Sequence, residues 1–135
     1  MGIIRKQSAE GASPTWSYPA VPLSEYSTAA SIGITKQVLV GMTEGATDFI
    51  VRYFTIPPGG HSALDQHRHQ HGVVITHGKG RVLLGEQWHD IGAGDAVFTD
   101  TGEVHQFEAV GAAALGFVCV IPRWAEDDAC AAPVK

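Results

Sequence analysis

The segment GGHSALDQHRHQHGVVITHG, residues 59–78, places His61, His67, His69 and His71 within eleven residues and sets a glycine at each end. Residues two apart on a strand project to the same face, so Asp65 and His67 are predicted to point together. A tight turn over Arg68–Gln70 would return His71 to the same interior on the next strand. His69 is expected in that turn, near the mouth of the structure, on the other register. Working outward, GDAVFTDTGEVHQFEA at 94–109 puts His105 at the start of a strand, just after a turn over Thr101–Glu103. Asp65, His67, His71 and His105 thus form a candidate metal site with nitrogen and oxygen donors. Neutral imidazoles suit Mn, Fe, Ni, Cu or Zn, and a carboxylate shifts preference toward harder cations.

The chain around these segments is written in short β-branched and aromatic runs. QVLVG, DFIVRYFTI, GVVIT, RVLLG, DAVF, HQFEA and LGFVCVI alternate with turn signals such as PPGG at 57–60, GKG at 78–80, GAGD at 92–95 and TGE at 101–103. Seven or more short strands so punctuated predict an all-β sandwich or barrel. No stretch keeps helical spacing over three turns. Residues 1–30 are rich in Ser, Ala, Pro and Gly and are expected to form an arm with one short strand, anchored by Trp16 and Tyr18. The barrel is expected over 31–123, and AEDDACAAPVK belongs to a flexible tail over 124–135.

Composition narrows the function. The 135 residues suit one domain, and 44% apolar against 17% charged residues is enough for a true core. Two cysteines, Cys119 and Cys130, are too few for a disulfide scaffold. A net charge of −5, with Lys and Arg scattered, disfavours nucleic acid and anionic membranes as partners. The start, MGIIRKQSAEG, lacks the apolar run of a signal peptide, so a soluble cytoplasmic protein is expected.

The two glycine-framed segments resemble the paired motifs of the cupins. Gly59, five residues, Asp65-Gln66-His67, three residues, His71, six residues and Gly78 follow the spacing of the first motif. Gly94, five residues, Asp100-Thr101-Gly102, two residues, His105, three residues and Ala109 follow the second. Asp65 stands where that family has its first histidine, and His71 where it has a glutamate. Asp100 and Ala109 replace a proline and an asparagine. From Gly33 to Pro122 the chain resembles small manganese cupins with a four-histidine site, through ITKQVLVG at 34–41, FTIPPGG at 54–60 and FVCVIP at 117–122. The resemblance implies a single-domain cupin fold, a double-stranded β-helix or jelly-roll barrel. It implies one divalent metal per subunit, manganese first, with Fe, Ni, Cu or Zn as alternatives. It also implies oxidative cleavage of styrene-type double bonds with a peroxide or dioxygen. Asp65 either completes a three-histidine, one-carboxylate set or stops short of the metal and holds a water.

Alternation suggests the lining. Leu115, Phe117, Cys119 and Ile121 share one face of the last strand, and the resemblance turns Phe117, Cys119 and Ile121 toward the cavity. Arg52 shares a face with Ile50, Phe54 and Ile56, and an arginine among apolar neighbours needs a partner, either an anionic substrate group or an internal carboxylate. Arg52, Phe54, Phe117, Cys119 and Ile121 are therefore the candidate substrate-binding residues. His61, His77 and His89 adjoin turns and are expected at the surface.

Three functions fit. The first is an oxygen-using oxidoreductase of dioxygenase type, acting on a small aromatic or alkenyl substrate. The second is a non-redox lyase, isomerase or decarboxylase, with Tyr53, Glu103 or a free Asp65 as internal base. The third is a non-catalytic barrel that binds a small ligand or metal. Exposed strand edges and the arm predict a homodimer in which the arm crosses over and Trp88 packs on the partner.

Overall fold

The alternation in FIVRYFTI becomes strand β3, Phe49–Ile56, with Ile50, Arg52, Phe54 and Ile56 buried on one face. The computed structural model describes residues 2–8, 17–26, 31 and 33–127. Around β3 the chain runs through β1 (Ser24–Glu25), β2 (Thr35–Val40), β4 (His71–His77), β5 (Lys79–Leu84), β6 (Gln87–Gly92), β7 (Ala96–Thr99), β8 (His105–Val110) and β9 (Leu115–Pro122). One 3₁₀ turn, Met42–Glu44, and one short helix, α1 (Trp124–Asp127), complete the described elements.

Six strands pair in the order β1-β2-β3-β9-β4-β7, and three in the order β6-β5-β8. All these pairings are antiparallel. The two sheets face each other across a core that includes Ile50, Ile56, Val73, Ile75, Val82 and Leu115. Each such side chain, fully withdrawn from water, contributes up to about 1.5–3 kcal/mol. β9 lies at the centre of the larger sheet. Its inward residues meet β3 on one side, with Arg52 opposite Cys119 and Phe54 opposite Phe117, and β4 on the other, with Val73 opposite Cys119.

Gly78, the end of the first motif, turns the chain from β4 into β5 at a φ of 79°. A Cβ there would overlap the Ala114 carbonyl oxygen, so glycine is required both for the turn and for the close approach of the residue that leads into β9.

Residues 18–21 pack on the outer face of β2 and β3, and the segment ends at Tyr26, which meets Phe54 on the inner side. Tyr18 packs edge-on against Tyr53, with ring centroids 5.3 Å apart, and Val21 joins Leu39 and Tyr53 in a second buried cluster. The one short strand expected in the arm is β1, paired with Thr35 and Lys36 of β2. Trp16 lies outside the described residues. Two elements depart from expectation. β6, QWHDIG, exposes its first four residues and carries no apolar alternation; it is a strand because a two-residue turn at Gly85 and Glu86 folds it onto β5. Trp124–Asp127, expected within the tail, forms a helical turn that buries Ala125 against the barrel; residues 128–135 lie outside the described residues.

Candidate metal centre

Residues 61–70 were expected to include a strand carrying Asp65 and His67. Instead they run as irregular chain, tied to β8 by isolated bridges between His61 and Glu108 and between Asp65 and His105. The second bridge is reciprocal: the Asp65 N–H donates to the His105 carbonyl and the His105 N–H to the Asp65 carbonyl, each at 2.9 Å. Two candidate ligands from the two glycine-framed motifs are thereby fixed to each other through their backbones. The chain then bends at Arg68 and His69 before β4 begins at His71.

That bend corrects the expected position of His69. Its side chain is turned inward and buried, with its ring stacked on His67 at 3.7 Å and 4°. The ligand atoms of His67, His69 and His71 lie within 4.8 Å of one another. Asp65 and His105 line the same cavity outside that tight group; the His105 ring stands edge-on to His67 and His71 at 4.7 and 5.2 Å. The signal for His69 was in the sequence. Residues 65, 67, 69 and 71 all have the same parity, and a bend between 67 and 71 can preserve a shared inward direction.

The donor set fits a divalent ion. His67 Nδ1–H donates to the His69 carbonyl and His105 Nδ1–H to the Glu103 carbonyl, both at 2.9 Å. Each bond fixes the tautomer and leaves Nε2 with a free lone pair, the usual arrangement for a metal-ligating histidine. The Nε2 atoms of His69 and His71 approach to 2.9 Å. Metal–nitrogen bonds of about 2.0–2.1 Å meeting at a right angle would place two nitrogens about 2.9 Å apart. Burial lowers the pKa of His71 far below the ordinary imidazole value, aided by the nearby Arg52 guanidinium and then by His105. Burial, followed by His105, lowers that of His67. Both rings are held in the neutral form that binds metal.

The surrounding cavity has a volume of about 400 Å³. Arg52, Phe54, Phe117, Cys119 and Ile121 all line it. Phe117 stacks between Phe54, at 5.6 Å, and Phe107, at 4.8 Å. Cys119 is a buried free thiol whose Sγ lies 3.3 Å from His71 Nδ1, and burial raises its pKa. Trp124 of α1 stands edge-on to His69 at 6.2 Å. Lys36 and Glu126 are the remaining charged residues of the lining, beyond Arg52, Asp65 and the histidines.

Of the three internal bases considered, only Asp65 faces the cavity. Tyr53 is buried on the opposite face of β3, its hydroxyl bonded to Thr76 Oγ1 and His77 Nδ1, each at 3.0 Å. Glu103 is used in a turn, where its carboxylate accepts from the Asp100 N–H. His77, expected at the surface, is half-buried in the Tyr53 network; His89 is exposed and His61 half-buried.

Comparison with known proteins agrees with this architecture. Residues 52–121 match the family described as the cupin domain, and the chain belongs to that family. A curated relative from Rhodospirillum rubrum, 1-methylthio-D-xylulose 5-phosphate methylsulfurylase, is 37% identical over 107 residues, covering 77% of this chain and 67% of the relative. Among solved structures, a cupin-2 domain from the same organism superposes with a TM-score of 0.75 at 35% identity, covering 84% of this chain and 76% of that one. A cupin 2 conserved barrel domain protein from Rhodopseudomonas palustris gives 0.75 at 32% identity, covering 89% and 80%. Among the described residues, no helix is long and apolar enough to cross a membrane.

Proposed function

We propose that this chain is a metal-dependent enzyme acting on a small carbonyl-bearing substrate inside the barrel, by non-redox chemistry. The observation that carries this reading is the packing of His67, His69 and His71 within 4.8 Å in a cavity that is also lined by the Asp65 carboxylate. A divalent ion held there, manganese first and Fe, Ni, Cu or Zn as alternatives, supplies a Lewis acid toward a carbonyl oxygen. Asp65 takes the proton from the carbon beside that carbonyl and returns it. Phe107 and Phe117 keep bulk water from the reacting end. The likeness to a methylsulfurylase supports a substrate of the methylthio sugar phosphate kind.

The test is a solvent deuterium exchange assay by NMR on 1-methylthio-D-xylulose 5-phosphate, using protein reconstituted with each of the five metals. Exchange beside the carbonyl, abolished by chelation and by Asp65→Asn, is the expected result. Absence of both exchange and substrate loss with every metal overturns it.

A second reading, oxidative cleavage of an aryl alkene with dioxygen, is favoured by one observation: the stacked Phe54, Phe117 and Phe107 floor beside the imidazoles. Dioxygen uptake on adding a styrene-type alkene to the Mn- or Fe-loaded protein would select it. A homodimer remains part of the proposal, supported by Val74 of β4 and Phe98 of β7, which are large apolar residues left exposed. Light scattering reads it, and a monodisperse monomer would remove it.

A further inference from the structure

Arg52 is buried without a carboxylate in direct contact among the described residues. It is 7% exposed, yet Nε is buried without a hydrogen-bond partner. Its hydrogen bond runs from Nη2 to the thiol of Cys119 at 3.2 Å. Among the described residues, no carboxylate lies within ion-pair distance of the guanidinium. The guanidinium also lies over the Phe54 ring, 4.8 Å from its centroid. A guanidinium has five N–H donors in a planar fork, and burying it unpaired is costly. Chains keep such an arrangement when a ligand completes it.

The position of Arg52 says what kind of ligand. It lines the cavity and shares Cys119 with His71, whose Nδ1 lies 3.3 Å from the same sulfur. A group bound to the fork is therefore within one small molecule's length of the imidazole cluster. Lys36, on the neighbouring strand β2, lines the same cavity, and burial lowers its pKa while Glu126 opposes the shift. Within the lining, Asp65 and Glu126 offset Lys36 and Arg52. A divalent ion on neutral imidazoles then adds two positive charges that no side chain of the lining balances.

We propose that Arg52 is the substrate-binding residue that selects for an oxyanion, a phosphate monoester or a carboxylate, carried by the substrate next to the metal centre. The planar fork matches the paired oxygens of either group. This deepens the metal-dependent reading and rests on the cavity being its substrate site. It does not require the metal to be present for the oxyanion to bind.

The experiment is calorimetric titration and thermal shift with inorganic phosphate and, separately, acetate, on metal-free and metal-loaded protein. Wild type, Arg52→Met, Arg52→Lys and Lys36→Gln are compared, with metal content measured for each. Wild type should bind one or both anions in the absence of metal. Arg52→Met should weaken that binding by about tenfold or more while retaining the metal stoichiometry, as expected for loss of a charge-assisted hydrogen bond. Arg52→Lys should fall between them, and Lys36→Gln should change affinity less. A preference for phosphate assigns a phosphate ester, and a preference for acetate assigns a carboxylate. Equal anion binding in wild type and Arg52→Met overturns the proposal, as does the absence of any anion response in wild type. Loss of metal binding with the anion response intact would instead overturn the metal-dependent reading and leave this one standing.

Discussion

The two faces of β3 bury polar groups in opposite ways. On the outer face the groups are closed off by protein. Tyr53 meets Thr76 and His77, while Gln37 on neighbouring β2 donates to the Tyr18 and Val21 carbonyls at 2.8 and 2.9 Å and accepts from the Tyr18 N–H at 3.1 Å. Gly116 on β9 belongs to this arrangement, because a Cβ there would overlap the Tyr53 hydroxyl. On the inner face, Arg52 keeps an unpartnered nitrogen, and His69 and His71 point ring nitrogens at each other. Tyr53 and Gln37 are thus satisfied by the protein around them. Arg52 combines spare capacity with a place in the cavity wall, where something else can bind.

The contrast can be broken most sharply at the imidazoles. His71→Ala should lower metal affinity by more than about 100-fold, since even residues behind the ligands are commonly worth 10–100-fold. Competition with a chelator measures this, and retained affinity would take His71 out of the site. On the outer face, Gln37→Leu should leave metal affinity unchanged but cost on the order of 2–3 kcal/mol in urea unfolding, because it strands two backbone groups of the arm, the Tyr18 N–H and the Val21 carbonyl. A loss of metal affinity there would show that the faces are not independent.

Acid should act on the inner face. In the folded chain His67 and His71 have lowered pKa values, so below about 6.5 the unfolded chain holds protons that the folded chain refuses. Stability of the metal-free protein is therefore fully present above about pH 6.5 and falls as pH drops, by up to about 1.4 kcal/mol per unit for each such histidine. Urea midpoints across this range, with a shallower slope for His71→Gln, would check it. The smallest effect belongs to Arg52→Met, which should change stability by no more than about 1 kcal/mol or raise it, because a buried guanidinium without a contacting carboxylate is replaced by an apolar chain of similar length. A large loss of stability would mean that the fold, rather than a ligand, depends on the guanidinium.

Much of this was legible in the sequence, for physical reasons that differ from region to region. β3 and β9 were legible because their alternating residues face a core on one side. The lining followed from the same parity, down to Arg52 and Cys119. β6 was not legible, because a strand held by its hairpin partner and exposed at Gln87, Trp88, His89 and Asp90 needs no apolar pattern. The place of His69 was missed because motif spacing directs attention to residues 65, 67 and 71, whereas the bend at 68–69 is a tertiary outcome. Tyr53 looked like a possible base until its face was known; alternation had already put it opposite Arg52.

The reciprocal backbone bonds between Asp65 and His105 have a bearing on how such sites diversify. They use no side-chain atom, so the frame that presents position 65 to the cavity is indifferent to which residue stands there. Aspartate and histidine codons differ by a single base. One point mutation at this position could therefore exchange a carboxylate for a fifth cavity-facing imidazole without disturbing the barrel, so this lineage can vary its donor set at little structural risk.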